Sequence, residues 1–232
     1  MAAEQRPGAA ERTSRRERPA KPALTRSGII ATAVEVLRAE GLDKVTMRRL
    51  AQELDTGAAS LYVYVRNTAE LHAAVLDELL GEVDLSVPGD WRARLIGTLE
   101  SYMEVLFRYP SLARSALVSW PSGPHFLALV EALLAALDDG LVPGDRAAWA
   151  VDLFLLLATA GAAEQSTRNE SGAAHEEWDA LTAAVQRVSP EQFPHLAAVR
   201  QHLLSGPGGA RRSWGFEVLI NGVLHTPRPP SG

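Results

Sequence analysis

Apolar residues recur along this chain at the spacing of an α-helix, and no segment sustains the alternation typical of a half-buried strand. The first helix is predicted to begin after Thr25, whose hydroxyl can cap it, and to end at Gly41. Its apolar face comprises Ile29, Ile30, Ala33, Val34 and Leu37. The pattern predicts an all-α protein.

Two shorter helices are predicted next, joined by a run of small residues. Thr46 can cap the first of them, and its apolar face comprises Met47, Leu50, Ala51 and Leu54. The second is predicted from Ala58 to Tyr64, and its aromatic and β-branched residues give it poor intrinsic helicity. We therefore expect packing against its neighbours to hold it. Two short helices around a tight turn are typical of a helix-turn-helix DNA-binding unit.

Longer helices, separated by Pro and Gly, are predicted for the rest of the chain. Thr68 is expected to cap the fourth helix. The helix from Asp145 is apolar nearly all round, which predicts burial on more than one side. The remaining bounds are predicted at Asp90 to Tyr109, Ser111 to Val118, Pro124 to Asp139, Asp145 to about Thr167, His175 to Val188, Pro190 to Leu204 and Ala210 to Leu224.

The charge is unevenly distributed. The whole chain carries −5, yet residues 1–76 hold 12 Lys/Arg against 9 Asp/Glu, a balance of +3, and residues 77–232 balance at −8. This distribution favours a DNA-facing N-terminal part on an acidic body. Residues 1–23 are predicted to be a disordered basic arm. Two interpretations of the arm stay open, a solubilising tail and a segment that contacts phosphates or the minor groove.

The composition also bears on the compartment. There is no cysteine, which excludes disulfides and thiolate chemistry and fits a reducing cytoplasm. The charged N-terminus does not resemble a signal peptide. The most apolar run, 147–163, is too short to span a bilayer comfortably and contains Asp152. We expect a cytoplasmic protein without a membrane partner.

No pattern of catalytic chemistry stands out. The sequence has no glycine-rich phosphate loop, no Gly-x-Ser-x-Gly and no metal-ligand spacing among its scattered histidines. We therefore predict no catalytic residue, no metal and no cofactor. A small-molecule pocket is the more plausible site, with bulky apolar walls and a few polar points. Its candidates, for each of which core packing is the alternative, are Met103, Phe107, Trp120, Phe126, Trp149, Phe154 and Gln165.

Residues 25–80 resemble the DNA-binding region of the tetracycline-repressor (TetR) family of regulators. The resemblance rests on Val45-Thr-Met-Arg-Arg-Leu-Ala51, on 57–60, on Leu61-Tyr62 with Tyr64-Val65 and Asn67, and on Leu71 with the helix that follows. Many family members carry Lys at the position of Thr68, where this chain lacks the charge, and Arg66 is the candidate to replace it. The resemblance implies DNA contacts by Thr46, Arg48, Gly57, Ala58, Ala59, Ser60, Tyr62, Tyr64, Arg66 and Thr68.

The resemblance further implies a homodimeric repressor that binds a palindromic operator in double-stranded DNA and is released from it by a small, mostly apolar effector. The apolarity of the Asp145 helix supports a dimer as well, because one body cannot cover it. The predicted dimerisation residues are Ala158, Gly161, Ala162, Trp214, Val218 and Leu219.

Four regions are thus expected: a basic arm at 1–23, a helix-turn-helix domain at 24–70, a helical effector-binding and dimerisation domain at 71–225, and a loose tail at 226–232. Two alternatives to a ligand-responsive regulator remain. One is an architectural DNA-binding protein without a ligand, and the other is a helical enzyme that has kept a vestigial DNA-binding unit.

Overall fold

The computed structural model describes residues 23–118 and 121–229, which form helices with no strand among them. This confirms the predicted all-α class. A 3-10 turn at Leu42–Lys44 joins the first two helices. The helices are α1 (Arg26–Glu40), α2 (Met47–Glu53), α3 (Ala58–Leu61), α4 (Thr68–Leu80), α5 (Trp91–Arg108), α6 (Pro110–Ala116), α7 (Pro124–Asp139), α8 (Gly144–Glu170), α9 (Ala174–Gln186), α10 (Pro194–Leu203) and α11 (Gly208–His225).

Polar side chains cap several helix starts where the sequence predicts them. Thr25, Thr46 and Asp90 each accept a hydrogen bond from the amide three residues ahead, at 3.0, 3.2 and 2.9 Å. The predicted cap at Thr68 is wrong. Asn67 caps α4 instead, accepting from the Glu70 amide at 2.8 Å.

The third and tenth helices are clearly shorter than predicted. The third ends at Leu61 instead of Tyr64, because its aromatic and β-branched residues continue as a turn. The tenth begins at Pro194 instead of Pro190. The backbone of Phe193 is not helical, with φ −132° and ψ 60°, because the proline that follows disfavours the helical conformation.

The fourth helix joins the two halves of the molecule. One side of α4 packs against α1, and another packs against α6 and α7. Its apolar positions Leu71, Val75, Leu76 and Leu79 are essentially fully buried. A displacement of α4 would therefore change the packing both of α1 and of α6 and α7.

The eighth helix lies at the centre of the body. It packs against α5, α6, α7 and α11. Among the described residues α8 is the helix long and apolar enough to cross a membrane, with a mean hydropathy of 1.4 over an 18-residue stretch. Its buried side includes Phe154 and Ala158, both fully buried, so this helix forms part of a protein core.

Candidate nucleic-acid interface and ligand cavity

The short third helix is held in place from beneath. Leu61 at its end and Val65 in the following turn are both fully buried, in one cluster with the core residues of α1 and α2. The turn is closed by the amides of Tyr64 and Val65, which donate to the Leu61 carbonyl at 2.9 and 3.1 Å. Packing therefore fixes a helix with little intrinsic stability.

Most of the residues predicted at this surface are open to solvent. Tyr62 is 53% exposed and lies just past the helix end, whereas Tyr64 is partly buried. Ala58 is also partly buried, at the start of α3. The exposed members are Thr46, Arg48, Gly57, Ala59, Ser60, Tyr62, Arg66 and Thr68.

Two adjacent arginines of α2 have different surroundings. Arg49 donates to Glu40 Oε1 at 2.6 Å and to Glu53 Oε2 at 2.5 Å. These hydrogen bonds raise the pKa of Arg49 and lower that of Glu40. Arg48 is exposed and makes no hydrogen bond or ion pair with any residue that the structure describes. Arg48 thus keeps its charge available for a ligand.

Arg66, the candidate replacement for a lysine at Thr68, is already engaged with a carboxylate. Its backbone amide and its Nε donate to Glu70 Oε2 at 2.9 and 3.0 Å, which lowers the pKa of Glu70. The Arg66 side chain is nevertheless 85% exposed. Its charge is therefore accessible but partly compensated.

A single histidine links α4 to the start of α2. His72 Nε2 lies 3.1 Å from the carbonyl oxygen of Val45, the residue that precedes the Thr46 cap. The imidazole is partly buried. This hydrogen bond ties the position of α4 to that of the helix-turn-helix unit.

A mostly apolar cavity of about 140 Å³, partly open to solvent, lies in the body. Two of its polar groups are paired: Tyr102 Oη and Thr159 Oγ1 are 2.7 Å apart, and both residues are buried. Burial raises the pKa of Tyr102, so the phenol stays neutral. The lining residues are Leu76, Tyr102, Ala116, Leu117, Pro121, Phe126, Asp152, Leu155, Leu156 and Thr159.

The predicted ligand residues are mostly elsewhere. Phe126 lines the cavity. Met103 and Phe154 are core residues, at 2% and 0% exposure. Trp149 is 51% exposed beneath the Arg228 guanidinium, which is 4.5 Å from its ring centre. Trp120 lies outside the described residues.

The other two candidates also lie away from the lining. Phe107 is partly buried, with the Arg212 guanidinium 5.5 Å from its ring centre. Gln165 is exposed and donates to Asn169 at 2.8 Å. The sequence did carry a signal for the wall that was missed, because Asp152, Leu155 and Thr159 recur at helical spacing along α8.

The predicted dimerisation residues divide between the inside and the outside of the protomer. Ala158 and Ala162 are fully buried within it, and Gly161 is partly buried close to Met103. The side chains of Ala158 and Ala162 are therefore covered by their own protomer. Trp214 is 70% exposed and Val218 47%, whereas Leu219 is partly buried. The exposed large apolar residues of α8 are Trp149, Leu153, Leu156 and Leu157.

Family models match most of the chain. One described as "Bacterial regulatory proteins, tetR family" matches residues 29–75. Another, described as "Tetracyclin repressor-like, C-terminal domain", matches residues 86–226. The second covers more than half of the chain by itself.

Individual relatives agree with these matches. A transcription regulator of known structure from Streptomyces coelicolor is 52% identical, with a TM-score of 0.77 over 91% of this chain and 100% of that one. ActR from the same organism, solved in complex with actinorhodin, is 36% identical, with a TM-score of 0.75 over 87% and 97%. An HTH-type transcriptional regulator of Saccharopolyspora erythraea is 35% identical over 133 residues. Those residues are 56% of this chain and 56% of the regulator, so the chain spans about half of that relative's length.

Proposed function

The chain belongs to the TetR family of bacterial transcriptional regulators, and on that premise we propose that it acts as a homodimeric repressor. Two copies bind a palindromic operator, and a small, mostly apolar effector releases them. The observation that carries this proposal is that Leu76 of α4 lines the cavity. Because α4 also packs against α1 of the DNA-binding unit, a molecule in the cavity can affect that unit.

The surface around α3 supports the DNA contact. Its small residues Ala59 and Ser60 allow the backbone of α3 to approach a groove of DNA closely. Tyr62 beside them is an exposed aromatic residue with a hydroxyl donor. Tyrosine hydroxyls, backbone amides and helix N-termini are common phosphate ligands. The unpaired charge of Arg48 adds attraction that needs no rearrangement of the protein. We assign base contacts to the start of α3, and phosphate contacts to Arg48, Tyr62 and Tyr64.

The exposed apolar residues of the body support the dimer. Soluble monomers rarely leave several large apolar side chains together on one surface. Trp214 and Val218 of α11 are exposed, as are Leu153 and Leu157 of α8, and the two helices pack side by side. Two such pairs related by a two-fold axis form a four-helix interface. The same axis gives the protein the symmetry of a palindrome.

The cavity supports a ligand-responsive regulator over an architectural DNA-binding protein. Its apolar wall suits an apolar molecule, and the hydroxyls of Tyr102 and Thr159 with the carboxylate of Asp152 offer polar contacts. ActR, a relative, was solved with a bound small molecule, actinorhodin. Neither the cavity nor the relatives give a reason to propose an enzyme, and we place the protein in the cytoplasm with its DNA.

The dimer and the cavity together suggest how release occurs. A molecule in the cavity presses on Leu76 and displaces α4. The DNA-binding units then change their separation and no longer match two half-sites one helical turn apart.

Selection from a random DNA pool with the purified protein tests the proposal. We expect a palindromic consensus bound by two protomers, as measured by fluorescence anisotropy and light scattering. Tyr62→Ala should weaken binding of that DNA by about 1–3 kcal/mol with unchanged circular dichroism. Equal affinity for the selected and random DNA would instead indicate an architectural binder.

A further inference from the structure

A buried carboxylate joins α4 to α7. Asp77 of α4 is 7% exposed, and its Oδ1 accepts a hydrogen bond from the backbone amide of Phe126 at 2.9 Å. Its Oδ2 lies against Gly123, where an added Cβ would be 2.0 Å from that oxygen. The contact therefore depends on glycine at position 123.

This carboxylate replaces a cap that α7 lacks. The helix begins after Gly123 with Pro124 in its first turn, and no side chain of its own segment accepts its free amides. Those amides need an acceptor, and the helix dipole favours a negative charge beside them. A hydrogen bond to a charged acceptor is about twice as strong as a neutral one. Asp77 thus fixes the start of α7 from a neighbouring helix.

Both ends of this contact adjoin the ligand cavity, although Asp77 itself does not line it. Leu76, adjacent to Asp77, and Phe126, whose amide is the donor, line its wall. The cavity measures about 140 Å³, whereas small-molecule sites usually enclose about 300–1,000 Å³. A ligand that penetrates between Leu76 and Phe126 therefore moves these parts of the wall apart. Displacement of Phe126 from Leu76 strains the bond to Asp77.

The same helix continues to the DNA-binding unit. Near the start of α4, His72 is bonded to the Val45 carbonyl, and Val45 precedes the cap of α2. A rigid helix transmits a shift along its axis, so the position of Asp77 affects that of His72. The chain of contacts runs from Phe126 through Asp77 and α4 to Val45.

We infer that Asp77 is the positioning residue that couples the cavity to operator affinity, by holding α4 against the first turn of α7 in the arrangement that binds DNA. This rests on the proposed function. The bond between Asp77 and Phe126 is intact when DNA is bound and opens when the cavity is occupied.

Two substitutions weaken the contact from opposite sides. Asp77→Asn keeps an acceptor oxygen for the Phe126 amide but removes the charge that strengthens the bond, and Gly123→Ala pushes the carboxylate aside. Glu78→Gln is the matched control, because it removes a charge at the adjacent, exposed position of α4. We expect the first two to raise the operator dissociation constant about tenfold, within the usual range of coupling between sites, and the control to change it less than about twofold.

Fluorescence anisotropy with the selected palindrome measures these constants, and hydrogen exchange reports on α1 to α3 in the same samples. A merely structural role would lower the melting temperature of both variants without changing their affinity for DNA. That result overturns the inference. Weakened binding with unchanged exchange in α1 to α3 supports it.

The wild-type protein provides a second test, should the variants fail to fold. Coupling between two sites is reciprocal, so operator DNA must slow hydrogen exchange at the Phe126 amide. Unchanged exchange at this amide with saturating operator overturns the inference. Failure of the proposed function is distinguishable, because the wild type would then bind selected and random DNA with equal affinity, or bind neither.

Discussion

At the scale of single residues, the hydroxyl pair of Tyr102 and Thr159 supplies a buried polar contact in an otherwise mostly apolar wall. Removing one partner leaves the other without its hydrogen bond in a buried site. We expect Tyr102→Phe to lower the free energy of unfolding by about 1–3 kcal/mol, measured by urea denaturation. Thr159→Val, added to Tyr102→Phe, removes the hydroxyl left unpaired. The double variant should therefore lose less free energy of unfolding than the two single variants lose in sum. Additive losses would contradict a direct bond between them.

The adjacent residues Arg48 and Arg49 of α2 are predicted to contribute to different properties, the first to DNA binding and the second to stability. Arg48→Ala should weaken operator binding and reduce the slope of log affinity against log salt by about 1, with an unchanged melting temperature. Arg49→Ala should instead lower the melting temperature, because it breaks the pairs with Glu40 and Glu53. Anisotropy titrations at several salt concentrations separate the two effects. The assignment fails if Arg49→Ala has the larger effect on the slope.

Glu70 gives a prediction about pH. Its bonds to Arg66 lower its folded pKa below the unfolded value of about 4.3. The stabilisation is therefore complete above that unfolded pKa and is lost as the pH falls through the folded pKa. Glu70→Gln should lower the melting temperature at pH 6, and the difference from wild type should shrink on acidification towards pH 3. A difference independent of pH would show that the charge of Glu70 is not involved.

Residue types predicted some of these positions and not others. Thr46 and Asp90 precede clear helical patterns and act as caps. Asn67 and Thr68 can both cap, and composition alone does not choose between them. Phe154 and Trp149 look alike in the sequence because α8 is apolar nearly all round. Which side of that helix faces the core depends on helices distant in the chain, and this is why the cavity wall was only partly predicted.

At the scale of elements, a charge introduced on the buried side of α8 and one introduced on the exposed face of α11 should have different effects on folding and dimerisation. Ala162→Arg places a charge inside the protomer and should abolish folding, since an unpaired buried charge has a very unfavourable free energy. Trp214→Glu on the neighbouring α11 leaves the protomer core intact. We expect it to give a folded monomer by light scattering that no longer retains a full palindrome. Glu176→Ala on the exposed start of α9 is a control that should remain dimeric.

Dimers of Trp214→Glu at micromolar concentration would place the interface elsewhere. The sequence predicted that α8 and α11 meet a second copy, through the small residues of α8 and through the face of α11 around Trp214. The small residues permit close packing within the protomer, as the proximity of Gly161 to Met103 illustrates. Small residues in a helix indicate close approach, and only the fold shows whether the neighbour belongs to the same chain.

At the scale of the whole molecule, charge separates the DNA-binding end from the acidic body. The basic arm lies outside the described residues apart from its last position, so its role stays a prediction. Deleting residues 1–20 should leave the melting temperature unchanged and lower operator affinity more at low salt than at high salt, because the lost attraction is electrostatic. Anisotropy titrations between 50 and 300 mM salt, roughly the range where screening changes most, measure this. An equal loss of operator affinity at every salt concentration would show that the arm does not contact phosphates.

The small cavity also determines how sensitive the protein is to its signal. If only a small fraction of molecules is open enough to admit the effector, the observed dissociation constant is the intrinsic one divided by that fraction. The threshold concentration then depends on how readily the wall parts, as well as on how well the effector fits. Substitutions that loosen the wall, without touching the effector, would shift the dose-response curve to lower concentrations. Closely related regulators could in this way answer the same compound at very different doses.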